Sequence, residues 1–253
     1  MSKIALARFT LPAVLFAAWW GATATGAVKP YQLASPADVA RELADLARSG
    51  ALAHDIGASA SRVSIGFVLA LVCALVLGSL VGASRTAERA LDPTLQALRA
   101  VPSLAWVPLI LLWLGIGETA KITLVALGAF FPIYVALASG IRGVDRKLIE
   151  LAQVLGIRGP ALVTRVLVPA TLPQALVGAR IGLTQAWLFL VAAELLAATS
   201  GLGFLLTDGQ QTSRTDEILA AILLFALCGK LTEALMRALE RRLVAWTDTA
   251  VTA

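Results

Sequence analysis

Histidine, cysteine and charge are all scarce in this chain. One histidine, His54, and two cysteines, Cys73 and Cys228, stand among 253 residues. That inventory excludes a disulfide framework and offers no cluster of soft metal ligands. Both cysteines lie in apolar runs, where free cysteine behaves as a small hydrophobe. An intramembrane enzyme needs a nucleophile–base pair or a metal cluster, and a lone histidine in a polar stretch supplies neither. The phosphate-cradling pattern G-x-x-x-x-G-K-[ST] is missing too, since Gly229-Lys230 is followed by Leu231 without the upstream glycine. Charged residues make up only 15% of the chain, against about 25% in ordinary soluble domains.

What is present is apolar sequence. Hydrophobic residues reach 58% and mean hydropathy is +0.83. At roughly 20 residues per crossing, five to seven spans fit, with no separate soluble domain. Six apolar segments can be delimited: 9–28, 61–83, 101–117, 119–141, 174–199 and 217–239. The first has a rival reading as a cleaved signal peptide, with Lys3 and Arg8 ahead of it and Ala22-Thr23-Ala24 as a cleavage site. Residues 29–60 read as an external loop. Within it Ser35-Pro36-Ala37-Asp38 is a helix start and Gly50 a stop. Val39, Leu43 and Leu46 fall between them at helical spacing. The remaining ranges are a transmembrane domain over 61–247 and a tail over 248–253.

The formal net charge of +5 alone would suit a nucleic-acid surface. Its distribution argues otherwise. With the N-terminus inside, 13 of the 21 basic residues lie in inside loops or tails and six lie outside. Arg180 and Lys230 fall within spans. This bias predicts an N-in, C-in topology with an even number of crossings, and it assigns Arg85, Arg89 and Arg99 to an inside loop and Arg62 and Lys121 to the outside.

The longest inside loop, 142–173, contains Glu150-Leu151-Ala152-Gln153-Val154-Leu155-Gly156, nine residues, then Val166-Leu167-Val168-Pro169. Leu148, Leu151, Ala152 and Leu155 make an apolar helical stripe, and Gly156 can stop the helix through a left-handed residue. A second short helix from about Pro160 is expected to end at Pro169 and Pro173. The segment resembles the E-A-A-x-x-x-G-x9-I-x-L-P pattern of permease subunits in ABC importers. Glu150, Ala152, Gly156 and Pro169 match, while Leu151 replaces the first Ala and Val166 and Val168 replace Ile and Leu. Further stretches resemble the aliphatic sulfonate, taurine and nitrate group of those permeases. They are Pro102–Leu109, Leu112–Glu118, Ala192–Leu195, Gly201–Leu205 and Leu239–Leu243 with Trp246. The resemblance implies an all-α integral membrane protein with the small (type I) importer permease fold, six transmembrane helices and a cytoplasmic coupling-helix loop. It implies two copies forming the pathway, two ATPase subunits gripping 150–169, and a periplasmic or lipid-anchored substrate-binding protein. The chain would bind lipid but no nucleic acid and no cofactor of its own; ATP is used by the partner subunits.

Candidate pathway or gating residues follow from polarity inside spans. Glu194 is an intramembrane carboxylate, a functional-site candidate by default, with Lys230 or Arg180 as possible partners. Arg180 either snorkels or sets a positive potential at the inner mouth. Gln185 and Trp187 offer neutral donors to an anion, or simply pack. Lys230 and Glu233, three apart, can pair. Gly78/Gly82 and Gly178/Gly182 permit close helix approach, and Gly201 and Gly203 form an external turn. The competing class is a secondary transporter or channel, for which no internal duplication is evident.

Overall fold

The computed structural model describes residues 3–244, and among them every regular element is helical. The helices are α1 (Lys3–Ala24), α2 (Pro36–Ser49), α3 (Ala51–Ala83), α4 (Arg85–Ala100), α5 (Trp106–Leu114), α6 (Glu118–Arg142), α7 (Arg146–Val154), a single turn α8 (Pro160–Leu162), α9 (Val168–Ala197), α10 (Leu202–Gln211) and α11 (Thr215–Leu243). Four stretches are long and apolar enough to cross a membrane: Ala51–Ala83, Glu118–Arg142, Val163–Leu196 and Thr215–Leu243. Two compact units divide the chain: Met1–Ser59 with Ala198–Leu227, and Ala60–Ala197 with Cys228–Ala253.

In the first unit, α2 starts and stops at the residues the sequence marks. The Ser35 side chain accepts the Asp38 N–H while the Asp38 carboxylate accepts the Ser35 N–H. Pro36 occupies the first turn, and Gly50 closes the helix at φ +79°. The Ser35 hydroxyl donates to Asp38 at 2.6 Å and holds that carboxyl below its ordinary range. The apolar face of α2 packs inward rather than lying free: Val39 and Ala34 are buried with Ala220, flanked by Trp19, Leu43 and Leu219. Arg214 ties this face down through Glu42, Asp216 and Glu217.

In the second unit, α6 is the axis, and glycines set the approach of its neighbours. A Cβ at Gly66 would come within 2.6 Å of Val125, one at Gly78 within 3.2 Å of Leu137, and one at Gly82 within 2.8 Å of Ile141. The partner number rises in step with the glycine number, so α3 runs parallel to α6. On α9 the order reverses. A Cβ at Gly178 would come within 2.3 Å of Ala136, Gly182 faces Ala129 and Ile133, and Gly128 of α6 receives the Phe189 ring. Thus α9 is antiparallel to α6, and both G-x-x-x-G pairs pack on this one helix. Between apolar helices in lipid such van der Waals contact replaces the hydrophobic drive available in water.

A parallel α3–α6 pair obliges the intervening chain to travel back along α6, and it does. Arg142 pairs with Glu88 at 3.0 Å, Tyr134 donates to Asp92 at 2.6 Å, and Val107 and Ile110 pack on Ala120 and Leu124. Residues 85–114 therefore form one antiparallel rod along α6, broken at Pro102 by a short 3₁₀ turn, Ser103–Ala105. At about 1.5 Å per residue, neither the 16 residues of α4 nor the 9 of α5 match α6 alone.

This corrects two expectations. Segment 101–117 is half of the return, and 85–100 is a helix rather than an inside loop. Ser84 caps it by accepting the Ala87 N–H. Other bounds also shift: α3 begins ten residues before 61, and α1 ends at Ala24 rather than Val28. Trp246 and the tail 248–253 lie outside the described residues.

Candidate functional site

Past the C-terminal end of α6, α7 presents an apolar face. Leu151, Val154 and Leu155 are 57, 84 and 68% exposed, and Leu148 continues the stripe. Ala152, expected on that stripe, is instead buried against its own chain. Glu150 points outward and pairs with Arg146. Gly156 terminates α7 at φ +79°. Its N–H reaches Gln153 O, and the Ile157 N–H reaches Ala152 O. These two bonds are a Schellman closure, which satisfies carbonyls the helix end would leave bare.

The following segment departs from expectation. Pro169 and Pro173 do not end a helix; both sit in α9. Residues 163–167 form a π-helical turn in which the Val168 N–H bonds Val163 O. Pro169 has no N–H to give Arg165 O and its ring crowds that carbonyl. The wider turn accommodates both, so the chain stays helical from Pro160 into the long α9.

At the opposite end of α6, charged side chains from three helices converge. Arg62 of α3 donates to Glu194 of α9 at 2.6 Å and to both carboxylate oxygens of Glu118 at 2.7 and 2.8 Å. Lys121 also reaches Glu118, at 2.9 Å. The Glu194 side chain is fully buried and that of Arg62 is 5% exposed, whereas Glu118 is 59% exposed. Glu194 therefore meets Arg62 rather than Arg180 or Lys230. Arg180 pairs with Glu240 of α11 at 3.4 Å, and Lys230 pairs with Glu233 on its own helix. Arg62 and Lys121 stand near segment edges and so read as external charges; their positions in the sequence carry no sign of a three-helix convergence.

Midway along α6 and α9 lies a cavity of about 420 Å³, bordered by Gln185 and by Arg99 of α4. Trp187, one turn-half further, is buried, and its indole N–H donates to Thr232 of α11 at 3.0 Å, so it packs rather than facing the cavity. The charge distribution places Arg99 in an inside loop, whereas the structure puts it in the last turn of α4. Ser84, Glu88 in the first turn and Arg99 in the last turn were helix-boundary signals that could have found α4; Pro93 within it obscured them.

In the first unit, the bend at Gly201 is buried. It leads into α10 at φ 109°, a conformation that favours glycine. Its N–H donates to Asp55, and the Leu202 N–H to Ser59, both at 2.9 Å. Gly201, Leu202 and Gly203 are buried. Asp55 and Ser59, one turn apart on α3, thus cap α10.

Four helices long and apolar enough to cross a membrane, in an all-α chain with an exposed, capped helix in a basic loop, have the architecture of a multi-pass membrane protein. Residues 45–245 match the family described as binding-protein-dependent transport system inner membrane component. The chain belongs to that family, the permeases of ABC importers. It is 43% identical to the putative aliphatic sulfonates transport permease protein SsuC of Bacillus subtilis (strain 168), over 94% of this chain and 86% of that one. It is 37% identical to the taurine transport system permease protein TauC of Escherichia coli (strain K12), over 92% and 87%. The fold is that of a chain in the inward-facing MetNI methionine ABC transporter, with TM-score 0.66 at 19% identity, covering 78% of this chain and 97% of that one.

Proposed function

We propose that the chain is the pathway-forming permease of an ATP-driven, binding-protein-dependent importer for a small anion of the sulfonate type. Two copies line the path in a bacterial inner membrane, and an external binding protein delivers substrate. Two ATPase subunits grip the segment from Glu150 through Leu151, Ala152 and Gly156 to Pro169. The α4–α5 rod counts as one crossing with α1, α3, α6, α9 and α11, which makes six, N-in and C-in. Arg142, Arg146, Lys147, Arg158 and Arg165 follow the C-terminal end of α6, which puts that end in the cytoplasm. Nitrate, or a different small organic solute, is the neighbouring possibility within the same mechanism.

The observation that carries this reading is the leucine face of α7, open and held by the Gly156 closure. A hydrophobic face of that kind suits a partner's groove. ATP binding would draw the two ATPases, and with them the two α7 helices, together and open the pathway outward; hydrolysis would reset it. Leu151→Asp with Leu155→Asp should leave membrane insertion intact and abolish both ATPase co-purification and uptake into proteoliposomes. Uptake by wild-type protein without any ATPase would instead make it a secondary carrier and refute the assignment.

A further inference from the structure

The sulfonate-importer reading leaves open which anions the permease itself handles, and the cavity between α4, α6 and α9 bears on that question. Its border combines one cation and one amide, Arg99 and Gln185, with an apolar wall that includes Phe131, Val135, Ile181 and Phe189. Among the described residues no carboxylate borders it. The Arg99 guanidinium makes a 3.3 Å hydrogen bond to Gln96 and no ion pair among those residues. Every cation described on α3, α6 and α9 themselves meets an acid: Arg62 and Lys121 meet Glu118, Arg142 meets Glu88, and Arg180 meets Glu240.

An unneutralised guanidinium midway along spanning helices is expensive unless it faces a watered path, and such residues mark ion routes. The volume is within the range of small-molecule sites, roughly 300–1,000 Å³. The wall is built for shape as well. Gly128 lets the Phe189 ring lie directly on α6, where a Cβ would come within 2.3 Å of it.

We infer that this cavity is a permease subsite for a monovalent organic anion with a short apolar tail. Arg99 and Gln185 hold the headgroup and the wall around Ile181 holds the tail. The inference rests on the importer reading and sharpens it. A taurine ammonium would find no carboxylate here and would meet the Arg99 charge, and nitrate would leave the wall unused. The subsite therefore ranks alkanesulfonates above both.

The test is calorimetric titration of the full-length permease with its ATPase subunits, in nanodiscs and without binding protein, using methane-, ethane- and butanesulfonate, taurine and nitrate. Affinity should rise about fourfold per added methylene, from about 0.8 kcal/mol per buried CH₂. Arg99→Gln should weaken all the sulfonates at least about tenfold, with Arg99→Lys recovering part of the loss. Ile181→Ala should flatten the dependence on tail length while keeping that on Arg99. No wild-type binding at millimolar sulfonate, or binding indifferent to Arg99, overturns the subsite. Sulfonate uptake by the complete importer is scored separately. Uptake with Arg99-independent binding sinks the subsite alone, and Arg99-dependent binding without any sulfonate uptake sinks the transport assignment alone.

Discussion

The ion network at the N-terminal end of α6 allows a prediction whose sign depends on burial. Arg62 lies between two carboxylates of unlike exposure, Glu194 fully buried and Glu118 59% exposed. Removing one partner of a buried pair leaves a charge without its counter-charge and costs about 3–5 kcal/mol. Replacing both partners by apolar side chains of similar volume is often neutral or stabilising by about 1–4 kcal/mol. Arg62→Leu and Glu194→Leu should therefore each destabilise by about 3–5 kcal/mol, while the double variant should lie close to wild type. The cycle then returns a coupling energy of about 3 kcal/mol or more. Glu118→Gln should cost less than either single variant, because the Glu118 side chain is 59% exposed and its amide still accepts from the buried Arg62 and Lys121. Denaturant unfolding of the permease in mixed micelles, followed by intrinsic fluorescence, measures all four variants. Additive single-variant losses would refute the argument, as would a Glu118→Gln cost equal to that of Glu194→Leu. The cycle also has a transport arm: if the network serves only packing, the double variant should retain wild-type uptake, and its loss there would assign the pair to gating.

Other outcomes follow from local geometry. Gly178→Leu should drive a side chain into Ala136 and the Pro132 carbonyl, costing about 1–3 kcal/mol from overpacking, measured by the same unfolding assay; an unchanged midpoint would place the α6–α9 contact elsewhere. Gly156→Val meets open space but a left-handed backbone, so it should strain the α7 closure by roughly 1–2 kcal/mol, and uptake should fall while expression in the membrane holds. Gly156→Ala should behave alike but more mildly, and identical uptake in both would count against the closure. Trp187→Phe removes the hydrogen bond to Thr232 and should cost about 0.5–1.5 kcal/mol with no change in sulfonate affinity; a changed affinity would return Trp187 to the substrate path. Ser35→Ala should destabilise α2 by about 1 kcal/mol, seen as faster proteolysis of the 29–50 segment.

Local signals in the chain were enough wherever one residue acts on its own backbone. Ser35, Pro36 and Gly50 bound α2 because caps and left-handed glycines work within a turn. Gly156 was legible for the same reason, as was the importer loop around it. Hydropathy located the four long apolar helices, because crossing a bilayer demands a long apolar run whatever the run packs against. The G-x-x-x-G pairs announced close approach, though not that both face α6. Proline was the residue most easily misread: Pro169 looked like a helix end, but a π-turn that depends on the helix around it absorbs the missing donor.

What only tertiary structure decided is pairing across distance. Arg62 stands 132 positions from Glu194, and their mutual neutralisation becomes visible only when α3, α6 and α9 meet. Asp55 and Ser59 cap a helix some 140 positions away, at Gly201 and Leu202. Arg99 left the loops and joined a cavity once the parallel run of α3 and α6 obliged residues 85–114 to return along them. By itself the sequence determined an all-helical membrane permease with a capped helix in a basic loop, because hydropathy, caps and motif spacing are properties of neighbouring residues. Which charges neutralise each other depends on hydrogen-bonded contact at about 3 Å, and only the packed helices bring those residues that close.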